Sequence, residues 1–278
     1  MSLDFLVPIV TYPDPTSKAG LGRAIDMVAS ITGRLSVLAH EVEIPPIDNA
    51  LAEALVKVSA LAADAERRSR DAAGKITAEA EYLAHRMMLP VAATTFRAGL
   101  NQALDRIVDA ARLHDATVFV LDPASETQSE LAEAILFGSG GPVILCPADD
   151  RGGHLQRVMV AWDGSRASSR ALRDAMPVLR MAQTVTLATA DEDKPIAPSQ
   201  LGGIRALLEY HGIQAAYRNI PLDGRAIGEA LQAEAMEAEA GLLVMGAYGH
   251  SRFREFMLGG ATASVLRDGP LLPIFLSH

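Results

Sequence analysis

Apolar residues along this chain fall into short unbroken runs, separated by longer stretches in which they return every three to four positions. The short runs, bounded by Gly, Pro or charged residues, predict buried strands, and the longer stretches predict helices with one apolar face. In the first half the strand runs are Phe5–Val10, Leu35–His40, Val91–Arg97, Thr117–Leu121 and Val143–Leu145, with helices in the gaps. The Ala-rich stretch Leu51–Met88, interrupted at Gly74, enlarges the helix after the second strand, and its charge-rich face reads as solvated surface.

The second half repeats the order. Arg157–Ser165 reads as a buried strand ending in a turn, and Ser165 is placed to cap a helix over Arg166–Arg180. Strands follow at Thr184–Ala190, Ile213–Ile220, Gly241–Gly249 and Leu271–Leu276, with helices at Ser199–His211, Ala226–Glu239 and Ala261–Arg267. The repeat is clearest where Glu133–Leu145 parallels Ser264–Leu276, with Gly and Pro at matching kinds of position. Alternating strands and helices imply parallel sheets covered on both faces. The expected fold is therefore α/β, two tandem Rossmann-like domains, each a five-stranded parallel sheet with helices on both faces. The polar, Gly-containing segment Ala148–Gln156 is the natural linker, which gives domains 1–150 and 151–278.

A length of 278 residues agrees with two domains. With 49% hydrophobic and 21% charged residues the composition is globular. No apolar stretch is long enough to span a membrane, and the N-terminus lacks the pattern of a secretory signal. The lone cysteine, Cys146, excludes an intramolecular disulfide and fits a reducing cytoplasm. The net charge of −9 argues against nucleic acid and anionic membranes as partners. That charge is unevenly divided. Residues 1–150 hold 12 basic and 21 acidic groups, whereas residues 151–278 hold 13 of each, so an anion site belongs in the second half.

The pattern Gly246-x2-Gly249-x9-Gly259 leaves the carboxyl end of a predicted strand and runs into a short helix. Glycines allow close backbone approach, and the unpaired amides at a helix start favour phosphate oxygens. A loop that only needs flexible residues is the plainer reading of glycines alone. Together with Leu242–Gly246 and Val160–Ser165 (VAWDGS), however, this spacing resembles the universal stress protein family, whose pattern holds ATP phosphates. The resemblance implies that Ala161 and Asp163 at the end of the first strand, with Ala190, Met245 and Gly246, contact the nucleoside. It implies that Gly249, Gly259, Gly260, Ala261 and Thr262 surround the phosphates. The family has Ser or Thr where this chain has Gly260, so one hydroxyl donor is missing, a loss of about 0.5–1.5 kcal/mol for an ordinary hydrogen bond. Thr262 or Ser264 offers a nearby hydroxyl, and Arg252 and Arg254 offer charge or are solvated surface.

In the first half the corresponding segment, Val120–Ala134, has no glycine loop, and Asp14 is out of register with Asp163. That half reads as degenerate, supporting structure or contacting partners. The seven histidines have no metal-ligand spacing, and no metal is expected. P-loop, nucleophile-elbow and dinucleotide motifs are absent from the sequence. The resemblance implies a cytoplasmic stress-response regulator that binds ATP, with or without Mg²⁺, or AMP or ADP, at one site in the second half. Alternatives are a scaffold of the same fold that interacts with a protein partner without nucleotide, and a slow ATPase or adenylating enzyme. The family also implies pairing of the last strands into an intrachain pseudo-dimer, with a homodimer of chains as a further arrangement.

Overall fold

The predicted apolar runs become the strands of a single twisted sheet in the computed structural model, which describes residues 3–31, 33–45, 58–149, 155–190, 198–247 and 260–278. In the first half β1 (Asp4–Ile9), β2 (Arg34–Val42), β3 (Val91–Ala98), β4 (Ala116–Leu121) and β5 (Val143–Pro147) alternate with α1 (Lys18–Ser30), α2 (Val58–Arg86), α3 (Leu100–Ala111) and α4 (Glu126–Gly138). In the second half β6 (Arg157–Ala161), β7 (Thr184–Thr189), β8 (Ala215–Asn219), β9 (Leu242–Gly246) and β10 (Ile274–Ser277) alternate with α5 (Arg166–Asp174), α6 (Met176–Leu179), α7 (Pro198–Tyr210), α8 (Ile227–Glu237) and α9 (Gly260–Asp268).

The strand order is β3-β2-β1-β4-β5-β10-β9-β6-β7-β8. Within each half all pairings are parallel. The halves meet where β5 and β10 pair antiparallel, with Leu145, Ile144 and Val143 opposite Ile274, Phe275 and Leu276. The two five-stranded units thus share one ten-stranded sheet. All six of these side chains are buried, and full burial of such a residue contributes about 1.5–3 kcal/mol relative to exposure.

Strand alternation sorts the core into two layers. Phe5, Val7 and Ile9 face α1 and α2, and the same face in the second half is covered by α5, α6 and α7. Leu6 and Val10 face the opposite side, where α3, α4, α8 and α9 pack. Both faces of the sheet are therefore apolar, as parallel strands require.

Three predicted boundaries change for physical reasons. The helix expected over Arg166–Arg180 breaks at Ala175 into α5 and α6, because Pro177 cannot donate to the preceding turn and sits in the first turn of a new helix. The interruption expected at Gly74 does not occur. Gly74 lies inside the 29-residue α2, where an added Cβ would meet nothing within 4 Å. The final strand begins at Ile274 rather than Leu271, after Pro270 and Pro273. The first part of Leu51–Met88, through residue 57, and residues 150–154 of the expected linker lie outside the described residues.

Candidate functional site at the second-half switch point

From β6 the chain winds outward through β7 and β8, then returns to β9 on the other side of β6. Such a reversal leaves a crevice beyond the carboxyl ends of the two central strands. Small residues keep it open. Ala161, Ala188, Ala190 and Gly246 come from the strand ends, Ile227 and Leu231 from α8, and Met245 from β9, and together they line a cavity of about 170 Å³. Its remaining walls are Trp162, Asp163 and Ser168 on one side and Gly260, Ala261 and Thr262 on the other.

Two local devices build the rim beside β6. The Asp163 carboxylate accepts the Ser165 N–H at 2.9 Å and shapes the turn out of the strand. Ser165 then caps α5 by accepting the Ser168 N–H at 3.1 Å. Helix α5 lies so close to β9 that a Cβ at Gly246 would stand 2.5 Å from the Ser168 nitrogen and 2.6 Å from the Ala167 carbonyl carbon. The glycine at 246 is therefore required by helix packing, in addition to any ligand.

On the opposite rim, α9 opens at Gly260 with no acidic residue in its first turn. The first amides of a helix have no acceptor within it, and the helix dipole adds positive potential there. Gly228 of α8 holds this end in place. A Cβ at 228 would come within 2.8 Å of the Ala261 carbonyl oxygen, so the two helices touch backbone to backbone. Gly260 differs, since a Cβ there would meet nothing within 4 Å. Among the described residues lining the cavity, Asp163 is the one that carries formal charge.

Eight of the residues singled out from the sequence, Ala161, Asp163, Ala190, Met245, Gly246, Gly260, Ala261 and Thr262, border this one cavity. Gly249 and Gly259, with Arg252 and Arg254, lie outside the described residues. Sequence reading did not single out Ser168, Ala188, Ile227 or Leu231 for the site. Ala188 and Leu231 carry no polar signal, and they reach the crevice only through tertiary packing. Ser168 had one readable sign, its place three residues after a capping serine.

The first half has an equivalent switch point between β1 and β4, and there a side chain fills the crevice. Gln128, 2% exposed, accepts the Asp122 N–H through Oε1 at 2.9 Å and donates through Nε2 to the Asp14 carbonyl at 3.0 Å. The amide ties the end of β4 to the turn after β1. Ser125 fixes Gln128 from below, accepting its N–H at the start of α4.

No group of three or more metal-ligating side chains occurs among the described residues, and none of their helices is long and apolar enough to cross a membrane. Residues 154–271 match the model of the universal stress protein family. The fold of the whole chain is similar to that of a universal stress protein from Archaeoglobus fulgidus DSM 4304, with 16% identity, 99% of this chain and 97% of that one covered, and a TM-score of 0.70. It is similar also to a candidate universal stress protein from Pseudomonas aeruginosa UCBPP-PA14, with 16% identity, 99% and 93% coverage, and a TM-score of 0.55. A search of curated proteins gave no match. At these identities the solved structures speak for the fold, while the family match speaks for the second half. The second half thus matches the universal stress protein family over residues 154–271, and a first half of the same doubly wound fold is joined to it in tandem.

Proposed function

We propose that this stress-response protein binds one adenine nucleotide per chain, in the second half, and works by binding rather than by chemistry. The observation that carries this reading is the cavity itself. An apolar recess floored by alanines suits a flat base, Asp163 stands where a ribose would emerge, and the start of α9, with no acidic residue in its first turn, borders the cavity where phosphates would lie. ATP is the favoured ligand, with ADP and AMP as competitors, and a divalent cation would arrive with the phosphates. The Gln128-filled crevice argues that the first half takes no nucleotide.

A second reading has one observation in its favour. Gly260 contributes no hydroxyl, and no described cationic side chain lines the cavity, which fits a scaffold that keeps the fold and has given up the ligand. Calorimetric titration of the full chain with ATP, ADP and AMP separates the two. The nucleotide reading expects saturable binding at one site per chain. It also expects a loss of at least about tenfold in an Ala190→Leu variant, whose larger side chain occupies the recess while the far-ultraviolet circular dichroism stays unchanged. No binding by the wild type establishes the scaffold reading, and equal binding by wild type and variant moves the ligand elsewhere.

A further inference from the structure

Helix α5 carries Arg166, Arg170 and Arg173 at intervals of four and three residues, which places them along one exposed stripe. The helix packs on β9 and β10, next to the seam between the halves. At that seam, by the amino ends of β1, β4 and β5, lies a cavity of about 480 Å³. Arg170 and Arg173 line it from the second half, and Arg112 and His114 line it from the first.

These arginines do not serve as ionic links between the halves. Arg112 donates through Nε to the Gly138 carbonyl at 2.9 Å and through a terminal nitrogen to Asp109 of its own helix at 2.6 Å. Arg170 pairs with Asp174 of its own helix at 2.7 Å. Arg173 has no hydrogen-bond or ion-pair partner among the described residues, and no ion pair of the three crosses the seam. The two carboxylates of the cavity are already engaged within the protein. Asp115 accepts the Asp4 N–H at 2.8 Å, and Asp174 accepts from Arg170 and from the Ser277 hydroxyl at 2.6 Å. Guanidinium donors thus converge on a recess from both halves, Arg112 and Arg170 oriented by contacts within their own halves and Arg173 with all its donors left over. An arginine fork suits the oxygen pairs of phosphoryl groups.

We propose that this recess is a second ligand site, distinct from the alanine-floored cavity, and that it takes a small anion bearing two phosphoryl groups. Its position makes such a ligand a bridge between the halves. A macromolecular polyanion would contact a broad outer surface, and the first half, with 12 basic and 21 acidic groups, repels one.

The test titrates the full chain with inorganic pyrophosphate, with a sugar bisphosphate as a parallel arm. Saturable binding of one ligand per chain is expected, weakened at least about tenfold by Arg173→Ala and further by adding Arg170→Ala, since each substitution removes a charge-assisted contact. Arg166→Ala removes the same charge from the same helix outside the recess and is expected to change affinity less than about threefold. Tighter binding of the sugar bisphosphate assigns an organic ligand, and tighter binding of pyrophosphate an inorganic one. Absence of saturable binding overturns the proposal. So does a response to Arg166→Ala equal to that of Arg173→Ala, which would reduce the effect to general charge. An affinity that falls in the Ala190→Leu variant and not in Arg173→Ala places the anion in the nucleotide cavity and overturns it too.

Discussion

The hydrogen atoms that stand for side chains at positions 246 and 260 serve different ends. At Gly246 a methyl group would strike the α5 backbone, so Gly246→Ala is expected to lower the unfolding free energy by about 1–3 kcal/mol in a denaturant titration, as overpacking does elsewhere. Position 260 is open, and Gly260→Ser is expected to leave stability within about 0.5 kcal/mol. The added hydroxyl is expected to tighten ATP binding about fivefold or more by calorimetry, the scale of one hydrogen bond to a charged acceptor. The glycine spacing in the sequence pointed to this corner of the molecule. It could not separate a glycine kept for helix packing from one with free space, because that distinction depends on α5, almost 80 residues earlier in the chain. Cys146 was readable as a buried apolar residue from its strand alone. Burial pushes its thiol up to about 12.

Among the elements, α2 buries Ala73, Ile76, Ala80 and Ala84 against the sheet and is fastened further by a polar network at Ser69. The Ser69 hydroxyl on α2 accepts the Val42 N–H at 2.8 Å and meets the Thr11 hydroxyl at 2.6 Å, while Thr11 donates to the His40 carbonyl. His40 stacks on Phe96 and donates through Nε2 to the Ala98 carbonyl at 2.8 Å. Burial holds the His40 imidazole below its ordinary 6.5, with the Ala98 bond and the nearby Glu41 pulling the other way. Above that pH both folded and unfolded chains carry the neutral ring. As pH falls through 6.5 the unfolded chain takes up a proton that the folded chain resists, so stability is lost toward acid. Unfolding free energies measured between pH 7 and pH 5 are expected to fall less steeply in His40→Gln than in the wild type, and equal slopes would refute the assignment. None of this network was legible in the sequence, since Thr11, His40 and Ser69 meet only after β1, β2 and α2 are assembled. Pro177, by contrast, announced the break between α5 and α6 in a pattern that otherwise reads as one helix.

For the whole molecule, the doubled order of strands and helices was plain in the hydrophobic pattern, because parallel strands buried on both faces leave unbroken apolar runs. What the pattern could not convey is the inequality of the two crevices. A glutamine in a helix's first turn gives no sign that its amide will reach across to Asp14 and Asp122. Replacing it tests that assignment at this scale. Gln128→Ala leaves the Asp122 amide without its acceptor and is expected to cost about 1–3 kcal/mol of stability in a denaturant titration, and Gln128→Glu, which keeps that acceptor but buries a carboxylate oxygen against the Asp14 carbonyl, is expected to cost at least as much.

The antiparallel seam of β5 and β10 has a consequence for how the two lobes stay married. Separate chains held by such a ladder part company when their concentration drops, but lobes on one polypeptide face each other at an effective concentration set by the tether, whatever the dilution. Any ligand whose grip spans both lobes therefore meets two lobes already joined, and its hold on the protein does not depend on how much protein the cell has made.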